Sequence, residues 1–317
     1  MRILVTGGNG YVGRTLSRQL LGQHDVCVVD SLRYGKNRFA PTDLEQLRFE
    51  SIDIRNLDSV KQIVGDFRPQ AIVHLAAIHF IPECEGDPQL AVSTNVLGTA
   101  NVAAACPEGC RLVFASTGAV YQPESVPHRE FDSTLEPADV YGWTKLHGEH
   151  YVNYFARQRK FPACIVRLFN VIGPGETNPH VLPEIVAQLK AGRTTLSLGN
   201  LDAKRDYVHV ADVARGFARV ATLGSIDSGR TEIVNLGTQQ AYSVTDLLEH
   251  LRNISGIDFR VAADPTRMRP SDRPFLAANP TRIRELFGWR PELNIGQALA
   301  DFWLNPDLPQ GWVERYR

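Results

Sequence analysis

The chain has 317 residues, 43% of them hydrophobic, and its 34 Lys and Arg residues nearly balance 35 Asp and Glu residues, for a formal net charge of −1. This length and composition predict a folded protein with a large core and exclude a disordered or fibrous chain. The near-neutral charge offers no basic field for nucleic acid or an anionic membrane, so we expect a small-molecule or protein partner.

The sequence also indicates a compartment. No apolar run approaches the roughly 18 residues that a membrane span needs, and no basic leader precedes the first strand pattern, so we expect a cytoplasmic protein without a membrane partner. The cysteines are odd in number and scattered, which suits a reducing compartment. The closest pair, Cys106 and Cys110, lacks both metal-knuckle spacing and a histidine cluster, so we expect no metal site.

Short apolar runs rich in β-branched residues alternate with segments of helical period in the first half of the chain. The runs are residues 3–5, 26–29, 71–74, 112–115 and 164–166. This alternation is typical of βαβ units on a parallel sheet, and strands without polar alternation are buried on both faces. We therefore predict an α/β fold built on a Rossmann-type doubly wound parallel sheet.

The regular alternation of strand and helix patterns ends after Asn170, where a stretch rich in Gly and Pro follows. The later pattern predicts a strand over 232–235 and helices over 181–190, 243–253 and 281–287. We expect a first domain of residues 1–171, with 206–236 packing back on it. Residues 172–205 and 237–317 are expected to form a smaller C-terminal α/β lobe that binds substrate.

A glycine-rich turn follows the first strand. Gly7, Gly10 and Gly13 have a dinucleotide-binding spacing, which permits a tight turn, close backbone approach to a pyrophosphate and close packing of the next helix. The amino terminus of that helix would face the phosphates. The predicted cofactor contacts in this turn are Gly7, Gly10, Tyr11, Val12 and Gly13.

Asp30 ends the second strand, 17 residues beyond Gly13, where an acidic residue binds the adenosine ribose in such folds. Its carboxylate can accept both ribose hydroxyls and would repel a 2′-phosphate. The sequence therefore predicts NAD as the cofactor in preference to NADP, although Arg33 lies close enough to moderate that preference.

Tyr141 and Lys145 are four residues apart in a helical stretch, which places the phenol and the ammonium on one face. A phenol with a pKa of about 10 is a poor base unless positive charge stabilises its anion, and Lys145 and an oxidised nicotinamide can both supply that charge. Thr117 follows a strand at the carboxyl edge of the sheet, where its hydroxyl, or that of Ser116, can bind a substrate oxygen.

These segments, in this order, resemble the extended short-chain dehydrogenase/reductases, and within them the nucleotide-sugar epimerases and dehydratases. The segments are the glycine turn, Asp30, Asp53-Ile54, and residues 74–77, 95–99, 117–121, 141–145 and 167–170. The resemblance implies a catalytic triad of Thr117, Tyr141 and Lys145 and NAD as cofactor. It adds further cofactor residues: Asp53 and Ile54 near the adenine, Leu75, Ala76 and Ala77 after a strand, and Asn95 near the active-site helix.

The resemblance also implies a nucleotide-diphosphate sugar as substrate, a UDP-, GDP- or dTDP-hexose. Asn170, Arg205 and Arg269 would hold the diphosphate, since guanidinium groups pair phosphate oxygens bidentately, and surface ion pairs are the alternative role for Arg269. His79 and Thr117 would contact the sugar. Family members commonly pair through helices beside the active site, here about 90–104 and 141–158, so we expect a homodimer.

The implied reaction begins when Tyr141 takes the proton of a sugar hydroxyl, at C4, while a hydride passes to NAD. Dehydratases of the family carry carboxylates directly after the threonine, where this chain has Gly118 and Ala119, so we expect a 4-epimerase. A 4,6-dehydratase and a 4-ketosugar reductase are the enzyme alternatives, and residues 199–206 resemble a segment of GDP-mannose 4,6-dehydratase. A dinucleotide sensor without catalytic activity is the alternative of a different class.

Overall fold

The computed structural model describes residues 1–176, 178–267, 273–309 and 311–316. Its strands are β1 (Arg2–Thr6), β2 (Asp25–Asp30), β3 (Leu47–Ser51), β4 (Ala71–His74), β5 (Arg111–Thr117), β6 (Ala163–Leu168), β7 (Asn170–Ile172), β8 (Thr195–Leu198), β9 (Lys204–His209), β10 (Thr231–Leu236), β11 (Ala241–Tyr242), β12 (Arg260–Ala263) and β13 (Phe275–Leu276).

The α-helices are α1 (Tyr11–Leu20), α2 (Pro41–Leu44), α3 (Leu57–Phe67), α4 (Ile81–Gly86), α5 (Pro88–Val92), α6 (Gly98–Ala105), α7 (Val140–Arg159), α8 (Val181–Lys190), α9 (Val210–Thr222), α10 (Val244–Ser255), α11 (Thr281–Phe287) and α12 (Ile295–Leu304). A π-helical turn over Ser93–Leu97 joins α5 to α6. Across the described ranges, no helix combines the length and the apolar character needed to cross a membrane.

A seven-stranded parallel sheet forms the first domain, with the strand order β10-β6-β5-β4-β1-β2-β3. The chain runs outward from β1 to β3 and then returns to place β4 on the other side of β1. Every residue of β4 is buried, as are the inner residues of β1, β2 and β6, because helices cover both faces. The Rossmann-type doubly wound sheet that the sequence predicts is confirmed.

Two apolar cores lie on opposite faces of this sheet. On one face α1 and α9 contribute Leu16, Val213 and Phe217, and on the other α3 and α6 contribute Ile63 and Val102. Burying such side chains is the main stabilising contribution to the fold, at about 1.5–3 kcal/mol for each large residue. The two cores hold the sheet rigid, so its carboxyl edge is a fixed platform for a site.

A second lobe packs beside that edge. β7, β9, β11 and β13 form one small sheet, and β8 pairs with β12 in another. Its separate core comes from α8, α10 and α12, through residues such as Ile185, Leu247 and Leu299. The C-terminal lobe is therefore an α/β unit with an apolar core of its own.

Parts of the C-terminal half nevertheless complete the first domain. α9 packs against α1, and β10 adds to β6 at the edge of the large sheet. The expectation that 237–317 belongs wholly to the second lobe is wrong, since Ile283, Phe287 and Trp289 lie in a core of the first domain. The physical reason is that β10 is an edge strand, and α11 packs against it and covers it.

A buried ion pair ties α7 to β6. The Arg167 guanidinium donates bidentately to the Glu149 carboxylate, from Nε to Oε1 at 2.9 Å and from Nη2 to Oε2 at 2.7 Å. Ser116 Oγ also donates to Oε1 of Glu149, at 2.5 Å, and Arg167 Nη1 donates to the Tyr121 hydroxyl at 3.0 Å. Both charged side chains are at least 95% buried, so each depends on the other for compensation.

We predict that Glu149→Gln lowers the free energy of unfolding by about 3–5 kcal/mol, because it leaves the Arg167 charge buried without its counter-charge. Urea denaturation at pH 7 measures the loss. The matched control is Glu50→Gln, which breaks the exposed Arg48–Glu50 pair on β3 and should change stability little. Equal losses in the two variants would contradict the role assigned to the buried pair.

Candidate active site

A cleft of about 1350 Å³ opens at the carboxyl edge of the large sheet and continues along the second lobe. It begins where β1 and β4 lie side by side and the strand order reverses. Open α/β sheets bind ligands at such a reversal. Ordinary small-molecule pockets measure about 300–1,000 Å³, so this cleft has room for a dinucleotide and a second ligand of nucleotide size.

The glycine turn forms the narrow end of the cleft. Gly7 has φ +70°, and a Cβ there would lie 2.6 Å from the backbone nitrogen of Ala76. A Cβ on Gly13 would lie 2.3 Å from the Gly7 carbonyl oxygen, so α1 packs directly against the turn. α1 starts after Gly10 with neither a side-chain cap nor an acidic residue in its first turn, which leaves its N–H groups available to an anion. The turn therefore fits a pyrophosphate.

All five residues predicted in the turn line the cleft: Gly7, Gly10, Tyr11, Val12 and Gly13. The Tyr11 hydroxyl donates to the Gly173 carbonyl oxygen at 2.9 Å, and burial raises the pKa of this phenol well above its ordinary value. Tyr11 thus also joins the turn to the chain segment that enters the second lobe.

Asp30 lies on the cleft wall at the end of β2. Its carboxylate accepts hydrogen bonds from the backbone nitrogens of Leu32 at 2.8 Å and Asn9 at 3.0 Å. Burial raises its pKa, and those two bonds oppose the rise. The bonds hold the carboxylate beside the glycine turn, which is where a ribose would need it.

The residues expected near the adenine and after β4 also line the cleft, namely Asp53, Ile54, Leu75, Ala76 and Ala77. Asp53 forms a bidentate pair with Arg55, with Nε of Arg55 3.0 Å from Oδ1 and 2.9 Å from Oδ2. This pairing holds the pKa of Asp53 below its usual value. Arg55 lines the cleft as well, so the adenine end carries a compensated charge pair.

Asn95, predicted as a cofactor residue, is not among the described residues that line the cleft. It is buried, its Oδ1 accepts from the Ile78 nitrogen at 2.8 Å, and its Nδ2 donates to the Ile78 carbonyl oxygen at 2.8 Å and to Thr144 Oγ1 at 3.0 Å. These bonds tie the segment after β4 to α7. The structure therefore gives Asn95 a positioning role, and its cofactor contact stays a prediction.

Thr117, Tyr141 and Lys145 meet on the cleft wall. Asp139 caps α7, which places Tyr141 in its first turn and Lys145 one turn later. Thr117 ends β5, close enough to Tyr141 to lower the pKa of its phenol, and its Oγ1 accepts a hydrogen bond from the backbone nitrogen of Ala119 at 3.1 Å. Lys145 Nζ lies 4.3 Å from the centre of the Phe114 ring. The predicted constellation is therefore assembled from a strand end and the first two turns of one helix.

Burial is the largest influence on the pKa values of Tyr141 and Lys145. It raises the pKa of Tyr141 well above its ordinary value, against the effect of Thr117. It also lowers the pKa of Lys145 to about 7, against the attraction of Glu149. Burial outweighs the opposing effects of the neighbouring groups on both pKa values, and acidification of the phenol by Lys145 stays a prediction. A positively charged ligand beside the phenol would supply the missing stabilisation.

The predicted substrate residues Asn170, Arg205 and His79 line the part of the cleft nearer the second lobe. Arg205 Nη1 donates to the carbonyl oxygens of Lys204 at 2.9 Å and Arg273 at 2.6 Å. Arg269 lies outside the described residues, so its predicted phosphate contact stays a prediction. The Asn170 amide and the Arg205 guanidinium thus both line the part of the cleft where a diphosphate is expected.

Several polar residues of the cleft carry no signal in the sequence, and three of them are Arg273, Glu176 and His180. Arg273 is buried, and its guanidinium donates to the carbonyl oxygens of Tyr121 and Ala119 at 2.7 Å each, in the segment that follows Thr117. All three residues come from irregular segments, where periodicity carries no signal. The high content of Gly and Pro in residues 171–180 was the available indication of a functional loop.

We predict that Glu83 contributes to cofactor choice through Arg33. Glu83 Oε1 accepts from Arg33 Nη2 at 2.8 Å, and Glu83 Oε2 accepts from the Tyr34 hydroxyl at 2.8 Å, so the guanidinium already has an anionic partner. Glu83→Gln should release the guanidinium and raise NADP affinity relative to NAD by about tenfold, a typical gain for one charged hydrogen bond. Calorimetric titration with each cofactor measures the ratio. The Glu50→Gln control should leave it unchanged, and an unchanged ratio in Glu83→Gln would refute the prediction.

Comparison with known proteins places this architecture among enzymes. The model of the NAD dependent epimerase/dehydratase family matches residues 3–237. The UDP-glucose 4-epimerase of Mycolicibacterium smegmatis is 32% identical over 311 residues, covering 95% of this chain and 96% of that protein.

Two solved structures are similar over nearly the whole chain. The UDP-glucose 4-epimerase of Thermotoga maritima with UDP-glucose has a TM-score of 0.85 at 26% identity, covering 96% of this chain and 98% of that one. The UDP-glucose 4-epimerase of Thermus thermophilus in complex with NAD has a TM-score of 0.81 at 29% identity, covering 95% and 97%. The fold, the cleft and the family match agree, and the chain belongs to the NAD-dependent epimerase/dehydratase family.

Proposed function

We propose that this protein is an NAD-dependent 4-epimerase of a nucleotide-diphosphate sugar. The observation that carries the proposal is the meeting of Thr117, Tyr141 and Lys145 on one wall of the cleft that begins at the glycine turn. The similar proteins described above are UDP-glucose 4-epimerases, one solved with UDP-glucose and one with NAD, which favours a UDP-hexose among the possible substrates.

NAD, when bound, supplies the acceptor and then the donor of the hydride at a sugar carbon. Tyr141 is the base that takes the C4 hydroxyl proton and later returns it. Thr117 lies beside the phenol, where its hydroxyl favours the phenolate and can bind the sugar oxygen as the proton moves. Lys145, with its pKa near 7, can carry positive charge beside the phenol at neutral pH.

Small residues after Thr117 favour epimerisation over loss of water. Gly118 packs against the Phe169 ring, where an added Cβ would lie 3.0 Å from a ring carbon, and Ala119 follows it on the cleft wall. Neither side chain can carry a proton, whereas removing water toward C6 needs a further acid and base at the sugar. A 4-keto sugar that turns its other face and recovers the hydride needs only the groups already named.

When the protein is incubated with UDP-, GDP- and dTDP-hexoses, we expect it to interconvert the C4 epimers of one of them. No net NADH should accumulate. NMR of the products measures this. Tyr141→Phe should reduce the rate by about 100-fold or more, because it removes the proton acceptor. Tyr242→Phe, in the second lobe, is the matched control and should retain activity. A product that has lost water, or undiminished turnover in Tyr141→Phe, would overturn the proposal.

We also propose that the protein is a homodimer whose interface includes α5, α6 and α7. Trp143, Tyr151 and Tyr154 are about half exposed on α7, and Val92 and Leu97 are about half exposed on the neighbouring helices. On α7 their spacing places them along one stripe. An apolar surface that two copies can share about a two-fold axis is self-complementary, which suits an isologous dimer.

Sedimentation velocity at micromolar concentration tests this interface. The wild-type protein should sediment as a dimer, and Leu97→Glu should shift it toward monomer, because a carboxylate would be buried in an apolar contact. Leu304→Glu is the control, since Leu304 is exposed on α12, away from these helices. A monomeric wild-type protein, or a dimer that tolerates Leu97→Glu, would exclude this interface.

A further inference from the structure

Three side chains that bind metal ions well meet in the cleft. They are His79, Glu176 and His180, and one ligand atom from each lies within 4.8 Å of the others. His79 comes from the segment after β4, whereas Glu176 and His180 precede α8, about a hundred residues later in the chain. Because the fold, and not a sequence motif, brings them together, the sequence analysis predicts no metal site here.

Two imidazoles and one carboxylate are the protein ligands of many catalytic zinc sites, which keep a fourth position open. Zn–N distances of about 2.0–2.1 Å place the ligand atoms of a tetrahedral site about 3.3 Å apart. The three atoms would therefore need to approach one another by no more than about 1.5 Å, a movement that side-chain rotation can provide.

Asn178 contacts all three of these residues. Its backbone nitrogen donates to Glu176 Oε1 at 3.0 Å, and its backbone carbonyl oxygen accepts from the backbone nitrogen of His180 at 2.8 Å. Its side-chain amide lies 3.1 Å from His79 Nε2. Since the oxygen and nitrogen of an amide are interchangeable in such a position, His79 Nε2–H can donate to the Asn178 oxygen and leave Nδ1 for a cation. Histidine ligands of metals usually make a hydrogen bond of this kind with their second nitrogen.

Aromatic packing restricts His180 further. Its ring makes an edge contact with Phe80, with centroids 5.5 Å apart, and lies 6.1 Å from the His79 ring. The imidazoles are thus held near each other by their neighbours as well as by Asn178. A site whose ligands are already oriented loses less conformational entropy when the metal binds.

We propose that His79, Glu176 and His180 form a binding site for a divalent transition-metal cation, with Zn²⁺ the best match, and that its open position faces the substrate. The three residues line the same cleft as Asn170 and Tyr141, so a sugar hydroxyl is the ligand that could take the open position. Only this last statement rests on the proposed epimerase function. The binding of the cation itself does not depend on it.

The test uses the full chain after treatment with a chelator. Titration with ZnCl₂ in the presence of a competing chromophoric chelator should show one tight equivalent. His79→Ala and His180→Ala should each weaken that equivalent by about 100-fold or more, and Asn178→Ala by about tenfold through loss of orientation. His150→Ala, at an exposed position on α7, is the control and should bind as the wild type does.

Co²⁺ provides a readout that does not depend on activity. A tetrahedral site should give an intense visible absorption band that is absent in His79→Ala, and circular dichroism shows whether each variant is folded. Absence of a stoichiometric equivalent in the wild type, or Zn²⁺ binding that His79→Ala and His180→Ala leave unchanged, would overturn the metal site. Stoichiometric binding without epimerase activity would uphold the metal site and refute the proposed function, whereas epimerase activity without such binding would do the reverse.

Discussion

The close contact between the Gly7 backbone and Ala76 determines the shape of the working part of the molecule. The segments that follow β1 and β4 lie so near each other that a single methyl group would overlap. This closeness requires glycine and gives the glycine turn and the segment leading to His79 a common cleft. β5 is the next strand along, so Thr117 reaches the same edge. The fold and the candidate site thus both depend on the close contact between these two backbone segments.

Burial at that edge has two opposite effects. It excludes water from the Tyr141 phenol and the Lys145 amine, yet it also disfavours the charge of each. Glu149 partly compensates Lys145, and the same carboxylate is the counter-charge of Arg167. The network that joins α7 to the sheet therefore also acts on the protonation of Lys145.

Much of the fold and of the candidate site can be predicted from short sequence patterns. The buried strands and the spacing of Tyr141 and Lys145 can be read from short segments, because their periodicity does not depend on distant partners. β3 is absent from the prediction because the predicted strands are continuous apolar runs, whereas Leu47 and Phe49 alternate with charged residues in a short edge strand. Strands of two residues, such as β11 and β13, exist only through pairing with β9. Arg273 and His180 reach the cleft from irregular segments through tertiary packing alone.

Arg14 and Tyr11 carry a further consequence. Their side chains leave the first turn of α1 and donate to the carbonyl oxygens of Gly175 at 3.0 Å and Gly173 at 2.9 Å, in the crossing between the lobes. A ligand that displaced those carbonyls would perturb the start of α1 at the glycine turn, and thermodynamic linkage would make the influence equal in the reverse direction. The two glycine carbonyls therefore join the start of α1 directly to the segment that enters the second lobe.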